Sequence, residues 1–181
     1  MINDDCMVNY WNMRKYNLKK IWHVPHDKVP LSENGTPWES WHRPCGFKAL
    51  QPAFQALPTH YKKMCAKNLG KEFAVTGLVD VIYFPHKYRK QFLSVSPIFS
   101  DVFLEVGLPT LCACLCPIQD LEILKAIYLW DQNRKNYQKV YSTNVDFVHP
   151  LKFSDPQCRA FALAQIQAHT QHLKGPQPMP R

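Results

Sequence analysis

The sequence predicts a helix-rich mixed α/β fold, on three observations. Apolar residues recur at helical spacing over 47–57, 118–130 and 154–173. Two short runs rich in branched and aromatic residues, Phe73-Ala74-Val75 and Val79 to Phe84, read as strands around Gly77. A hydrophobic content of 46% with 13% aromatics belongs to a chain with a packed core, and 181 residues are enough for one. No complete sheet, internal repeat or domain boundary is legible. The expectation is one domain portion over 1–173, followed by a flexible Gly/Pro-rich tail over 174–181.

Taken in order, Asn9 to Lys20 is helix-compatible, with Trp11, Tyr16 and Leu18 on a mixed apolar face. Prolines at 25, 30, 37 and 44 and tryptophans at 22, 38 and 41 then predict a long irregular segment from Ile21 to Pro44. Phe47, Leu50, Phe54 and Leu57 predict a helix that Pro52 delays or kinks. Pro58 opens the next helix, which Asn68-Leu69-Gly70 stops. After the strands around Gly77, His86 to Val95 resumes helical spacing. Asp101 to Leu115 predicts a helix broken near Pro109, and Ile118 to Trp130 a second apolar helix. Tyr137 to Tyr141 and Val145 to Val148 read as strands. Ser154-Asp155-Pro156 opens the last helix, with a capping hydroxyl, an acid in the first turn and proline where its missing N–H costs least.

The net charge of +8, from 22 basic and 14 acidic side chains, suits an anionic partner. The basic residues are scattered, no run of like charges marks a tail, and no nucleic-acid motif is visible. No apolar run approaches the roughly 20 residues that span a bilayer. No basic, then apolar, then small-residue leader is read at the N-terminus. The seven cysteines are an odd number, so at least one is unpaired or pairs outside the chain.

Several residues are candidates for chemistry. Asp4 and Asp5 are adjacent acids behind a truncated apolar run: a solvated pair, or carboxylates on a turn that reach one divalent cation. His149 is an ordinary strand-end histidine or a ligand. Asp101 and its neighbour Ser100 either cap a helix or serve a reaction, whereas Glu105, inside an apolar stretch, must be paired, protonated or functional. Trp38 and Trp41, with Trp22 and nearby histidines, either line a sugar-stacking groove or pin the long segment as a satellite core. Cys112-x-Cys114-x-Cys116 lacks the usual zinc spacing and reads as packing, and His23-Val24-Pro25-His26 lacks the helical spacing of a zincin. There is no Gly-x-Gly-x-x-Gly, phosphate loop or Gly-x-Ser-x-Gly.

Four segments resemble, in order, the anchors of glycosyltransferases of the GT-A fold. They are Asn3-Asp4-Asp5, Gly77-Leu78-Val79-Asp80-Val81-Ile82-Tyr83, Ser100-Asp101-Val102-Phe103-Leu104-Glu105, and Asp146-Phe147-Val148-His149-Pro150-Leu151-Lys152. The first is similar to the Asp-x-Asp type motif, with Asn3 in its opening position. The third is similar to the Glu-Asp-Val-Tyr/Phe motif of the β1,3-galactosyltransferase-like families, with Ser100 in place of Glu. The last resembles a terminal His-x-x-Lys.

The resemblance implies the C-terminal half of a GT-A fold, incomplete at its N-terminus by about a hundred residues on domain-size grounds. It implies transfer of a sugar from a nucleotide-sugar donor to the hydroxyl of a glycan or glycoconjugate, with Mn2+ or Mg2+. In that scheme Asp5 and His149 hold the metal with Asp4 assisting, Asn3 stands where the nucleotide ribose or the metal is contacted, and Lys152 offers a charge to the diphosphate. Asp101 or Glu105 is the base, and Trp38, Trp41 and Asp80 contact substrate. The secretory lumen or Golgi is the location such a family implies. A basic, aromatic-rich nucleic-acid-binding module and a catalytically silent glycosyltransferase-like interaction domain are the alternatives.

Overall fold

The computed structural model describes residue 2 and residues 4–170. The expectations for Asn3 and for the tail over 174–181 lie outside the described residues. In chain order the elements are β1 (Met7–Val8), α1 (Tyr10–Met13), β2 (Ile21–Pro30), α2 (Glu39–His42), α3 (Phe47–Ala56), α4 (Thr59–Leu69) and β3 (Phe73–Tyr83). They continue with α5 (Arg89–Val95), α6 (Leu104–Leu115), β4 (Leu121–Ile123), β5 (Ala126–Tyr128), α7 (Gln132–Lys135), α8 (Tyr137–Val140), β6 (Phe147–His149) and α9 (Pro156–Thr170). The architecture is mixed α/β, with helices and two small mixed sheets. No helix among the described residues is long and apolar enough to cross a membrane.

The chain forms two compact units. The larger spans Tyr16–Leu124, and the smaller joins Ile2–Lys15 to the described residues from Lys125 to Thr170.

In the larger unit the strand order is β3-β2-β4, with β2 antiparallel to β3 and parallel to β4. The expectation of an irregular segment from Ile21 is overturned here, because β2 is a ten-residue strand. Its prolines fit because β4 covers only Ile21 to His23, which leaves Pro25 and Pro30 outside the fully paired stretch. Pro25 also sits beside one of the two irregularities in the β2–β3 register. The two strands expected around Gly77 are one continuous strand, and Pro52 lies inside α3 without ending it.

Helix α6 packs on β3 and is buried from Val106 through Leu115. It runs unbroken through Pro109, which contradicts the expected break. The proline ring lies against Gly77, where an added Cβ would stand 3.0 Å from Pro109 Cγ and 2.5 Å from the Val24 carbonyl oxygen. Glycine is needed there for close approach. At the end of α6 the Asn68 amide donates to the carbonyls of Ala113 and Cys116, both at 2.7 Å, and accepts from the Ile118 N–H at 3.0 Å. Those contacts satisfy carbonyls that a helix end otherwise leaves open. Trp41, Leu50, Leu57, Val95, Val106 and Leu111 are among the buried side chains of this core.

In the smaller unit the order is β1-β6-β5, with β1 antiparallel and β5 parallel to β6. Met7, Leu129, Val148, Leu151, Cys158 and Ala162 form its core. The helix-compatible stretch from Asn9 shortens to the single turn of α1. Its asparagines are occupied elsewhere: Asn9 Nδ2 donates to the carbonyls of Ser142 (3.2 Å) and Val145 (2.8 Å), and Asn12 Nδ2 to those of Thr143 and Val145 (both 2.7 Å).

Three further expectations are corrected. Ile118 to Trp130 is not one helix, because the chain passes from one unit to the other at Leu124 and Lys125 and supplies β4 to the first sheet and β5 to the second. Tyr137 to Tyr141 forms the helical turn α8 rather than a strand. At the start of α9 the cap is Asp155, whose carboxylate accepts the Gln157 N–H at 2.8 Å, rather than the Ser154 hydroxyl.

Candidate functional site

The smaller unit brings Asp5, Cys6 and His149 together. The register Met7↔Val148 and Val8↔Phe147, continued by one pair, sets Cys6 across from His149. The Leu151 N–H donates to the Asp5 carbonyl at 2.7 Å, and the Leu129 N–H to that of His149 at 2.8 Å, so the turn before β1 and the end of β6 are fixed to their surroundings. Just upstream, the fully buried carboxylate of Asp146 receives the Lys125 N–H at 2.6 Å and the Lys15 ammonium at 3.0 Å. That pairing anchors the strand that carries His149.

Asp5 Oδ1 lies 2.9 Å from His149 Nδ1, and Cys6 Sγ lies 3.4 Å from the same nitrogen. The His149 ring stands edge-to-face with those of Tyr128 and Trp130, at centroid distances of 6.1 Å in both cases. Asp5 Oδ2 takes the Lys152 ammonium in an ion pair. Burial pushes the Asp5 carboxyl up, but the Lys152 hydrogen bond and the charges of His149 and Lys152 outweigh it and hold the group below the ordinary carboxylate range. Asp5 is therefore an anion at neutral pH. Asp4, its neighbour, is exposed.

The convergence has a definite chemical meaning. A Cys-His-Asp relay needs the nucleophile on one ring nitrogen and the orienting acid on the other. Here both side chains face Nδ1, an arrangement suited to three ligands around one cation. Among the described residues, these three are the His, Cys, Asp and Glu side chains whose ligand atoms could share one metal ion, all lying within 4.8 Å of one another. The sequence pointed to Asp5, His149 and Lys152 but missed Cys6. The available signal was its place between Asp5 and the first residue of a strand.

The remaining candidates lie in the larger unit. Asp80 is half-buried on β3, and Glu105 is half-buried in the first turn of α6. Burial pushes the Glu105 carboxyl up, the Asp80 charge adds to that, and His26 partly opposes it. Asp101 is exposed on the turn before α6, and that helix is capped at Phe103, so neither Ser100 nor Asp101 caps it. Trp38 is half-buried against Phe103 at 5.7 Å. Trp41 is fully buried, stacked on Phe47 at 5.5 Å, and donates from Nε1 to the Ser32 carbonyl at 3.0 Å.

Cys112 in α6 and Cys116 just beyond its end are packing residues by their surroundings. Burial pushes the Cys112 thiol far up and that of Cys116 up to about 12, so both stay protonated.

No family model matches the sequence. No solved structure matches it either. Among curated proteins, the chain is similar to the probable glycosyltransferase STELLO1 of Arabidopsis thaliana, at 22% identity over 170 residues covering 86% of this chain. The chain spans 21% of the length of that protein, so the similarity concerns one segment of a much larger molecule.

Proposed function

We propose that this chain is a glycosyltransferase-like catalytic portion that takes a nucleotide-sugar donor and passes the sugar to an acceptor hydroxyl. The observation that carries the reading is the similarity to a probable glycosyltransferase across 86% of the chain. The GT-A architecture and the β1,3-galactosyltransferase-like motifs are part of the proposal and rest on the four sequence anchors. Support comes from Asp5 and His149, the acid of the first anchor and the histidine of the last, which stand 2.9 Å apart.

In this reading Asp5 and His149 hold a divalent cation, which supplies Lewis-acid stabilisation to the departing diphosphate. Asp5 is suited to the role because its carboxylate stays ionised and keeps Oδ1 turned towards Nδ1 of His149. Lys152 is half in solvent, so its ammonium can leave Asp5 Oδ2 and offer a point charge to a phosphate. Of the two acids offered as a base, both in the larger unit, Glu105 is preferred to Asp101. Its raised pKa brings it nearer the working pH, where a carboxylate is a better base. Trp38 keeps partial exposure for contact with a sugar ring, whereas Trp41 offers no free face.

The catalytically silent interaction domain has one specific observation in its favour. The Lys152–Asp5 ion pair already neutralises the carboxylate that the donor complex would use.

Calorimetric titration of the folded chain with nucleotide diphosphates and their sugar conjugates, with and without divalent cation, tests the proposal. Cation-dependent nucleotide binding followed by sugar transfer is the expected result. Absence of nucleotide binding by a chain shown to be folded would sink it, and binding without transfer would select the silent domain.

A further inference from the structure

We infer that Cys6 is a metal ligand, and that the site formed with Asp5 and His149 selects Zn2+ over the Mn2+ or Mg2+ that the sequence led us to expect. The inference rests on the proposed cation site and changes its chemistry. An acid and a histidine alone are compatible with manganese. A thiolate added to them is not a manganese or magnesium donor set, because those ions prefer oxygen, whereas sulfur and imidazole together favour zinc.

The distances agree. Around a tetrahedral ion with bonds of about 2.0 Å to nitrogen or oxygen and about 2.3 Å to sulfur, ligand atoms stand about 3.3 Å (N to O) and about 3.5 Å (N to S) apart. The observed separations are 2.9 Å from His149 Nδ1 to Asp5 Oδ1 and 3.4 Å from Nδ1 to Cys6 Sγ. Opening the pair by a few tenths of an ångström admits the ion without moving a strand. Three protein ligands leave the fourth tetrahedral position to water or a phosphate oxygen, as in zinc sites that act on substrates.

The surroundings point the same way. Cys6 and His149 are buried, at 7% and 8% exposure, as a thiolate ligand set shielded from solvent requires. Lys152 binds the far oxygen of Asp5, which leaves Oδ1 for the metal and holds the carboxylate to a single-oxygen contact. Binding displaces the thiol proton of Cys6 to solvent, and Nδ1 of His149 binds in its unprotonated form.

The test uses the metals themselves on the full chain. Co2+ is expected to bind one equivalent and develop the near-ultraviolet charge-transfer absorption of a cobalt–thiolate bond. Zn2+ should displace it stoichiometrically, and Mn2+ should not. Cys6→Ala should abolish the absorption and weaken Zn2+ by more than the roughly 10- to 100-fold lost when an outer partner of a ligand is removed.

Co2+ binding without that absorption, or Zn2+ affinity unchanged in a folded Cys6→Ala variant, would overturn the role of sulfur while leaving a cation site. Failure of every ion to bind the folded chain would overturn both this inference and the cation in the proposed function. Nucleotide binding measured in metal-free buffer then judges the glycosyltransferase reading separately. If Cys6→Ala does not fold, Cys6→Ser, which keeps the size of the side chain, decides the point in the same Co2+ titration.

Discussion

Thr110 closes the open edge of β3 at Val75. Its hydroxyl oxygen accepts the Val75 N–H at 3.1 Å and donates to the Val75 carbonyl at 3.0 Å. β3 lies at the rim of its sheet, so these backbone groups face away from β2 and need a partner from elsewhere. Helix α6 supplies it from a fully buried position. Thr110→Val keeps the shape and removes the hydroxyl, leaving two buried backbone groups unpaired. A loss of about 2–4 kcal/mol is expected in urea denaturation, with most of it recovered in Thr110→Ser.

His23 makes stability depend on pH. It is buried, its Nδ1 finds no hydrogen-bond partner among the described residues, and burial lowers its pKa to about 4. The folded-state value lies below the ordinary value of about 6.5, so on acidification the unfolded chain takes up the proton first. The contribution is complete above about pH 6.5 and is lost as the pH falls towards about 4, to a total of about 3 kcal/mol. Denaturation midpoints measured across that window should show the slope in the native sequence and a smaller one in His23→Leu. Equal slopes would refute it.

The start of α9 separates two neighbouring residues. Asp155→Ala removes the carboxylate that accepts the Gln157 N–H and should cost about 1 kcal/mol. Ser154→Ala should stay within about 0.5 kcal/mol of the parent, as a surface change away from a cap does. Thermal melts of the two variants side by side decide between the caps.

Glu105 and Asp101 are separable by kinetics. With Glu105 as the base, Glu105→Gln should leave nucleotide-sugar affinity unchanged and slow transfer about 100-fold or more. Asp101→Asn should transfer at close to the parent rate. Single-turnover measurements at saturating donor read the chemical step directly, and the reverse ranking would move the role to Asp101.

Local chemistry was legible where one segment governs its own structure. The spacing of Phe47, Leu50 and Phe54 and the Pro58 start gave α3 and α4, and the branched residues around Gly77 gave β3. The failures share a cause: the deciding partner lies far away in sequence. β2 looked irregular because its prolines are tolerated only given a short β4 about a hundred residues downstream. Pro109 looked like a helix breaker because nothing local shows that its ring rests on Gly77. The candidate site divides in the same way. Asp5 and His149 were readable as types of residue in a given order, whereas Cys6 became visible only through the pairing of β1 with β6.

The smaller unit is built from both ends of the described chain, with Tyr16–Leu124 running between its two parts. That order governs its timing on the ribosome. Met7, Cys6 and Asp5 emerge early but have no partner strand until Phe147 to His149 has been made. At roughly 5–20 residues per second, they wait about 7–30 s while the intervening segment is synthesised. The larger unit has all its strands within an uninterrupted stretch and is free to collapse during that interval. A ribosome that has released Leu124 from its exit tunnel but not yet β6 would therefore display a finished larger unit and an unpartnered β1 segment with an accessible thiol. Pulsed alkylation of Cys6 on stalled chains of increasing length would time the moment at which that thiol disappears from solvent.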